Sequence, residues 1–304
     1  MRLNRHAASN LLTDMSTMPS HSDAAPAVTP RPAATTLILR DGGAGLEVLM
    51  VKRSMQASFM PGAYVFPGGA VDTSDDDAAH CAVCDESFEA LTTRVGRVTQ
   101  VGERAMAFAV AGLRECFEEC GLWLGAPAPT LGVNNSHALN AVWKADWSAD
   151  WKDLRARLHS GQSLGELASQ AGLRLATSGL QPWSHWVTPV GLPKRFDTLF
   201  FVCAAPPGQT PEVDAGETTG LAWVHPPQAL AACKRGEFTM EFATLRTMES
   251  LLPFSTGATS GVAPLLAFAA AQTSLPPLHP RLQRDADGHI VGILLPGQAG
   301  YDAA

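Results

Sequence analysis

The chain has 304 residues, 46% of them hydrophobic, and a formal net charge of −7 at pH 7. This length and apolar content allow one large domain with a buried core. The acidic balance argues against nonspecific binding to nucleic acid or to a membrane surface. No apolar run reaches the roughly 18 residues that a membrane-spanning helix needs. We therefore expect neither a nucleic acid nor a membrane as partner.

The first 30 residues predict a disordered tail, because Ala, Ser, Thr and Pro dominate there without apolar periodicity. They contain no apolar core typical of a secretion signal, so we expect a cytoplasmic protein with six reduced cysteines. The run His80-Cys81-x-x-Cys84 is either half of a zinc site or an incidental cysteine pair, and no second pair at suitable spacing follows it.

Apolar alternation and turn residues predict the elements that follow in chain order. Strands are expected at 33–39, 46–52, 64–66, 196–203 and 220–224, and helices at 103–120, 147–158, 164–171 and 226–232. Pro67-Gly68-Gly69 predicts a tight turn with glycines at positive φ. Residues 31–250 would form the domain, with insertions near 76–102 and 125–180, and residues 251–304 a C-terminal extension with a hairpin at 281–295.

The helix at 103–120 carries the most informative pattern. At ~100° per residue its acidic side chains fall on one arc and its apolar side chains on the other. The acidic arc consists of Glu115, Glu118 and Glu119, and the apolar arc of Leu113, Cys116, Phe117 and Cys120. Like charges three and four residues apart repel, and a divalent cation with oxygen ligands relieves that repulsion. The alternative is a solvated acidic face.

The segment Arg114-Glu115-Cys116-Phe117-Glu118-Glu119-Cys120-Gly121-Leu122, with Phe66-Pro67-Gly68-Gly69 upstream, resembles the Nudix box of the Nudix hydrolase superfamily. This resemblance implies an α/β fold: a Nudix-type α/β/α sandwich with a mixed sheet and helical insertions. The first acid of the box would be Asp75, which stands 39 residues before Arg114, so a long insertion interrupts the box.

The resemblance also implies roles for individual residues. Glu115, Glu118, Glu119 and the carbonyl of Gly69 would bind Mg²⁺ or Mn²⁺, and Arg114 would orient a carboxylate through a salt bridge. Water would attack a diphosphate bond, and the general base would be Glu119 or Glu217, of which we favour Glu217.

Further motifs resemble the peroxisomal coenzyme A diphosphatase type of Nudix protein. They are the run 49–54 with Gly62, the run 59–69, Trp186-Val187-Thr188-Pro189 and Arg195-Phe196-Asp197-Thr198. Two positions depart from the coenzyme A signature, because Ser58 stands where Arg is expected and Val51 where Thr is expected. The implied reaction converts coenzyme A or its thioesters to 3′,5′-ADP and a phosphopantetheine.

Basic residues next to these motifs are candidate phosphate contacts: Lys52, Arg53, Lys194 and Arg195. Trp183, Trp186 and Phe200 would either stack an adenine or belong to the core. The substrate is expected to be a nucleoside diphosphate derivative. ADP-ribose or a dinucleotide is the alternative substrate, a non-catalytic ligand-binding module the alternative class, and a homo-oligomer a possible assembly.

Overall fold

The computed structural model describes residues 28–56, 60–128, 150–214 and 218–303. The predicted N-terminal tail lies almost wholly outside these residues, as do Ser58 and Glu217. The strands are β1 Arg31–Gly42, β2 Gly45–Arg53, β3 Tyr64–Val65, β4 Gly68–Ala70, β5 Gly125–Pro127, β6 Leu173–Leu175, β7 Gln181–Val187, β8 Phe196–Ala204, β9 Thr218–Val224, β10 Arg281–Arg284 and β11 Ile290–Leu294.

The helices lie partly in the segments predicted as insertions. They are α1 Ala79–Val83, α2 Phe88–Leu91, α3 Arg97–Thr99, α4 Ala105–Cys120, α5 Trp151–His159, α6 Leu164–Ala171, α7 Pro226–Lys234, α8 Phe242–Ser250 and α9 Val262–Ala270. Short 3-10 turns occur at Thr73–Asp76 and Gly102–Arg104. None of these helices is long and apolar enough to cross a membrane, in the part of the chain that the structure describes.

The main sheet is mixed. Strand β1 runs parallel to β8 and antiparallel to β2, and β7 and β9 form its two outer edges. Strands β1 and β2 pair with each other only between Leu39 and Val48, next to their connecting turn. The earlier part of β1 pairs with β4 instead, and the later part of β2 pairs with β3. The segment 64–70 therefore fills the gap between the two separating strands. This wedge carries Gly68 and Gly69 to the face of α4.

Two cores cover the faces of the sheet. On one face α4 packs against Ile38, Leu49 and Phe201, and on the other α9 packs with Leu37 and Val202. The predicted α/β/α sandwich with a mixed sheet is confirmed. The hairpin of β10 and β11 forms a separate sheet, as expected, but α9 belongs to the second core, although it follows residue 250.

Helix α4 is positioned by a buried contact between its middle and β1. A Cβ on Gly112 would lie 2.8 Å from the Thr36 hydroxyl oxygen, and that hydroxyl donates to the Gly112 carbonyl at 3.2 Å. The helix ends at Gly121, which has φ of 65° and donates its N–H to the Phe117 carbonyl, as expected for a glycine C-cap.

Candidate functional site

The centre of the site is the guanidinium of Arg114, which is only 6% exposed. Its Nη1 donates to Glu115 Oε1 at 2.9 Å and to Glu118 Oε2 at 2.8 Å. Its Nε and Nη2 hold both oxygens of Asp75 at 2.9 and 3.0 Å, and Nη2 also donates to the Ala70 carbonyl at 2.8 Å. One side chain thus joins the helix, the wedge and the 3-10 turn at 73–76.

Asp75 reaches this position across a sequence separation of 39 residues. Its side chain is 1% exposed, and its Oδ2 also accepts the backbone N–H of Asp72 at 2.8 Å, which closes a capping box at the start of the 3-10 turn. The insertion therefore leaves this carboxylate against Arg114, where the resemblance places the first acid of the box.

Gly69 makes room for the carboxylate of Glu115. A Cβ at position 69 would lie 2.3 Å from Glu115 Oε1. Gly68 likewise approaches β1, because its Cβ would lie 2.5 Å from the Ala34 carbonyl oxygen. The predicted tight turn with positive φ is wrong: residues 68–70 form a strand, and neither glycine has positive φ. These glycines are needed for close approach, and their φ angles are ordinary.

Gly69 is paired with Ala34 in the register of β4 and β1. The flanking bonds, from Thr36 N to Pro67 O and from Val71 N to Pro32 O, are each 2.9 Å long. The alternation of an antiparallel ladder makes the pair between them hydrogen-bonded as well. The Gly69 carbonyl then accepts one backbone bond, and its second lone pair remains for a ligand.

Glu119 connects the helix to the wedge and to a second loop. Its Oε2 accepts the N–H of Gly68 at 3.0 Å, and its carbonyl accepts the N–H of Asp214 at 3.3 Å. Asp214 is the last described residue before 215–217. Glu217, the favoured base, lies outside the described residues, so its position relative to Glu119 stays a prediction.

The charges of this cluster shift the pKa of several groups. Burial raises the pKa of Glu115 to about 7, against the attraction of Arg114 and with added repulsion from Glu118. Burial also raises the pKa of Glu118, and the charge and hydrogen bond of Arg114 only partly offset it. For Arg114 burial disfavours the charged form, but its bonds to Asp75 and its acidic neighbours outweigh this and raise its pKa.

The donor set fits a hard divalent cation. Three carboxylates, those of Asp75, Glu115 and Glu118, bind one guanidinium, and Glu119 adds a fourth carboxylate on the same helix, so the cluster retains excess negative charge. Each of Glu115 and Glu118 uses one oxygen for Arg114 in the reported contacts, and each has a second oxygen for a metal. Burial is the main cause of the raised pKa of Glu115, and the negative charges of Glu118 and Asp75 add to it.

Two of the three helix carboxylates bind Arg114 and the third accepts the N–H of Gly68, and the three do not converge on one point. Among the described residues, only the hairpin turn Asp285, Asp287 and His289 brings three potential ligand atoms within 4.8 Å of one another, and all three residues are exposed. Binding a metal at the helix would draw the second oxygens of Glu115 and Glu118 inward.

The predicted phosphate contacts are dispersed. Lys52 Nζ lies 5.6 Å from the centre of the Tyr64 ring, and the charge of Arg53 acts on Glu241. Arg195 donates to the backbone carbonyls of Thr188 at 3.0 Å and Val28 at 2.7 Å. Arg195 thus fastens the start of β8, and none of its reported contacts reaches the carboxylates. Arg53 is the last residue of β2 and pairs with Thr218, at the start of β9. It therefore lies nearer to the loop that contacts Glu119 than Arg195 does in the order of the strands.

Two residues of α5 were missed by sequence reasoning. Arg155 donates through Nε and Nη2 to the Glu118 carbonyl at 2.9 and 2.6 Å, and through Nη1 to the Val213 carbonyl at 3.4 Å. His159 Nε2 lies 3.8 Å from Asp214 Oδ1. Helix α5 was predicted, but its packing partner could not be read from its own pattern.

The aromatic residues proposed to stack an adenine and the His80–Cys84 segment both have ordinary packing roles in the structure. Trp183, Trp186 and Phe200 are at most 8% exposed and lie in the second core, on the sheet face opposite α4. The ring of His80 is buried against Gly165, its Nδ1 lies 2.9 Å from the Asp77 carbonyl oxygen, and Cys81 is exposed. His80, Cys81 and Cys84 therefore do not form half of a zinc site here.

Comparisons with known proteins agree with this geometry. The family model of the NUDT19 Nudix domain matches residues 5–245. Acyl-coenzyme A diphosphatase NUDT19 of Xenopus laevis is 28% identical over 206 residues, which is 60% of this chain and 54% of that protein. Its Homo sapiens counterpart is 29% identical over 222 residues, 61% of this chain and 55% of that protein. The chain thus spans somewhat more than half the length of these relatives.

Among solved structures, a Nudix hydrolase from Alicyclobacillus acidocaldarius superposes with a TM-score of 0.58 at 26% identity. The match covers 81% of this chain and 98% of that one. A mixed sheet split by a glycine wedge, with an Arg-Glu-x-x-Glu-Glu helix against it, defines the Nudix hydrolase class. Within that class, the chain belongs to the NUDT19 Nudix domain family, and the predicted family is confirmed.

Proposed function

We propose that this chain is a metal-dependent hydrolase that cleaves the diphosphate bond of coenzyme A or its thioesters, giving 3′,5′-ADP and a phosphopantetheine. The observation that carries the proposal is the set of contacts that fixes the three helix carboxylates. Arg114 binds Glu115 and Glu118, Gly69 leaves room for Glu115, and the N–H of Gly68 binds Glu119. The relatives that bear the name acyl-coenzyme A diphosphatase support the choice of substrate.

Mg²⁺ or Mn²⁺, when bound, supplies positive charge for the phosphate oxygens and for the leaving oxygen. Residues of the chain position the carboxylates that would bind the ion. Arg114 keeps Glu115 and Glu118 on one side of the helix, and Gly68 N–H fixes the carboxylate of Glu119. Buried Asp75 in turn fixes Arg114 through a bidentate pair.

The proton of the attacking water needs an acceptor. Glu119 is one candidate, because it lies beside Gly68 and, in the sequence, next to Glu118. Glu217 is the other and the one we favour, because the described loop reaches Asp214, whose N–H donates to the Glu119 carbonyl. Comparing the pH profiles of kcat for Glu119→Gln and Glu217→Gln distinguishes them, since only the base variant loses the limb that reports the base.

A second candidate is hydrolysis of ADP-ribose or of a dinucleotide. It is favoured by the departure from the coenzyme A signature at Ser58, where Arg is expected. A ligand-binding module without catalysis is disfavoured, because all three helix carboxylates and their arginine are present and bonded. We propose a cytoplasmic protein, and a homo-oligomer remains a prediction.

The test is a kinetic panel with coenzyme A, acetyl-coenzyme A, ADP-ribose and a diadenosine polyphosphate, each with Mg²⁺ and with Mn²⁺. We expect the highest kcat/KM on a coenzyme A derivative. Glu118→Gln should lower kcat/KM at least about 100-fold, whereas the exposed Glu89→Gln should not change it. Turnover of ADP-ribose with coenzyme A intact would reject the proposed substrate, and full activity of Glu118→Gln would reject the metal site.

A further inference from the structure

A cleft of about 500 Å³ lies on the α4 face of the sheet, at the edge formed by β2 and β9. Leu49, Leu221 and Trp223 form its floor, and Pro206 and Pro211, from the loop after β8, form its wall. The floor residues point to the same side as α4, since Leu49 belongs to that core and the other two pack against it. The cleft therefore shares a sheet face with the carboxylate helix.

The same loop connects the cleft to the carboxylates. It begins at Ala205, whose N–H donates to the Leu39 carbonyl, and it reaches Asp214, whose N–H donates to the Glu119 carbonyl at 3.3 Å. Thr218 Oγ1 donates to the Asp214 carbonyl at 3.0 Å, so β9 starts next to Glu119. Trp223 stands five positions further along β9, which is about 17 Å at ~3.4 Å per residue.

The lining of the cleft favours an aliphatic chain over a nucleobase. Proline has no N–H to offer the polar edge of a base. The side-chain amide of Gln209 is occupied on both sides, since it accepts from Trp123 N at 2.9 Å and donates to Trp123 O at 3.0 Å. A base buried against these prolines and the apolar floor would find few partners for its ring nitrogens, which costs free energy, whereas a hydrocarbon chain gains from the same burial.

Arg40 closes the far end of the cleft, and its positive charge is paired with an acidic side chain. Its guanidinium stacks 4.2 Å from the centre of the Trp223 ring, and its Nε donates to Glu47 Oε2 at 2.7 Å. The salt bridge compensates the cation. Both residues line the cleft, and their aromatic and aliphatic parts add to its apolar surface.

We propose that this cleft holds the acyl chain of a thioester substrate, an inference that rests on the proposed function. A phosphopantetheine arm has about 13 bonds from phosphorus to sulfur and spans roughly 16 Å when extended, at ~1.2 Å per bond. That length matches the distance from the start of β9 beside Glu119 to Trp223. With the diphosphate at the carboxylates, an arm that is not fully extended therefore places the thioester on the floor of the cleft, between Leu221 and Trp223.

The test compares kcat/KM for coenzyme A, acetyl-, hexanoyl- and decanoyl-coenzyme A in the full chain with Mg²⁺. Each buried methylene is worth up to about fourfold, so hexanoyl-coenzyme A should exceed acetyl-coenzyme A at least about tenfold. Thr210→Trp places a large ring at the exposed lip of the cleft and should reduce that ratio to near one. Thr273→Trp, the same change at an exposed position away from the cleft, should keep it.

A second variant, Trp223→Ala, removes the floor and should also flatten the chain-length profile. Equal kcat/KM for acetyl- and hexanoyl-coenzyme A in the wild type overturns this inference while leaving the proposed function standing. So does an unchanged ratio in either cleft variant that melts like the wild type. Failure to hydrolyse coenzyme A and every thioester overturns the proposed function and this inference together.

Discussion

At the scale of the residue, the site depends on how Arg114 divides its donors. The guanidinium donates five hydrogen bonds, to three carboxylates and one carbonyl. A lysine could not replace it, because an ammonium group has three donors and lacks the planar fork that binds a carboxylate through two parallel hydrogen bonds. Because removal of one partner leaves a buried charge unpaired, each member of this cluster is costly to change.

Asp75→Asn tests whether the distant carboxylate completes the cluster. Loss of a buried charged partner should lower the free energy of unfolding by about 2–3 kcal/mol, and kcat/KM should fall because Arg114 is no longer fixed. Urea denaturation and the coenzyme A assay measure both. The adjacent Asp76 is exposed, so Asp76→Asn is the matched control, and an equal effect of the two variants would contradict the assignment.

Gly69→Ala tests the need for close approach at the wedge. The new methyl group would collide with the Glu115 carboxylate, so that carboxylate must leave its position. We expect kcat/KM to fall at least about tenfold with little change in melting temperature, because φ at residue 69 is not positive. Gly43→Ala has no atom within 4 Å of its new Cβ and serves as the control. Activity at the wild-type level in Gly69→Ala would refute this role.

At the scale of the element, side-chain hydrogen bonds join one pair of helices at the site and one pair of strands at the edge of the sheet. One pair is α5 and the end of α4, joined through Arg155, and the other is β7 and β8, joined through His185 and Asp197. Each pair connects segments that are distant in sequence or belong to a predicted insertion. Substitutions in either pair should therefore change the positions of the elements, and should affect the reaction only through those positions.

Arg155→Gln removes the donors that reach the Glu118 and Val213 carbonyls. The end of α4 and the loop before Glu217 then lose a common anchor, so kcat should fall more than KM rises. Lys152→Gln on the exposed side of the same helix should change neither. Steady-state kinetics with thermal melting measure the effect, and identical kinetics for both variants would show that the hydrogen bonds of Arg155 are dispensable.

Asp197 gives the fold a pH dependence. The hydrogen bond from His185 Nε2, at 2.5 Å, lowers the pKa of Asp197, and burial only partly opposes it. A carboxyl with a lowered folded pKa contributes stability fully above its unfolded pKa of about 3.9, and this stability is lost as pH falls through the folded pKa.

Asp197→Asn should therefore cost about 1 kcal/mol at pH 7, toward the low end for a charged hydrogen bond because the carboxylate is one third exposed. The difference from the wild type should begin to shrink as pH falls below the unfolded pKa of about 3.9, and it should disappear once pH has fallen through the lowered folded pKa. Urea midpoints measured from pH 7 to pH 3 check this expectation. A gap that persists unchanged at pH 3 would count against the ionised form as its source.

Much of the sheet and the main helix followed from local pattern. The predicted helix 103–120 is a 3-10 turn followed by α4, and Leu113, Cys116, Phe117 and Cys120 are all buried as predicted. Strand β7 was not predicted, because its buried residues on both faces leave no alternation to read. The glycines of β4 were predicted to turn, since sequence alone does not distinguish a glycine needed for φ from one needed for space.

The pairing of Asp75 with Arg114 could not be predicted from local pattern. The sequence identified both residues, but 39 positions separate them, and only the path of the insertion decides whether they meet. The position of Arg114 among the carboxylates was likewise beyond a helical wheel, which predicted a cation against this face but not that the helix supplies one itself.

At the scale of the whole molecule, the two cores bury most of the thiols. Burial raises the pKa of Cys84 and Cys203 to about 12 and that of Cys116 and Cys120 well above the ordinary value, whereas Cys81 is exposed. A thiol-directed reagent at pH 8 should therefore modify Cys81 first. Mass spectrometry after timed labelling checks the order, and early labelling of Cys116 or Cys120 would contradict the packing of α4.

The whole chain also brings together parts that no single segment contains. The wedge supplies Gly69, the interrupting insertion supplies Asp75, the helix supplies its acids, and α5 supplies Arg155. In the proposed reaction these parts direct water to phosphorus in a coenzyme A diphosphate bond.

The most direct test is hydrolysis of hexanoyl-coenzyme A with Mg²⁺ in ¹⁸O-labelled water, followed by mass spectrometry of the products. We predict 3′,5′-ADP and hexanoyl-phosphopantetheine, with one labelled oxygen on a phosphate of one product and no turnover when EDTA replaces the metal. Label in free hexanoate with coenzyme A released, or no hydrolysis at phosphorus, would contradict the account.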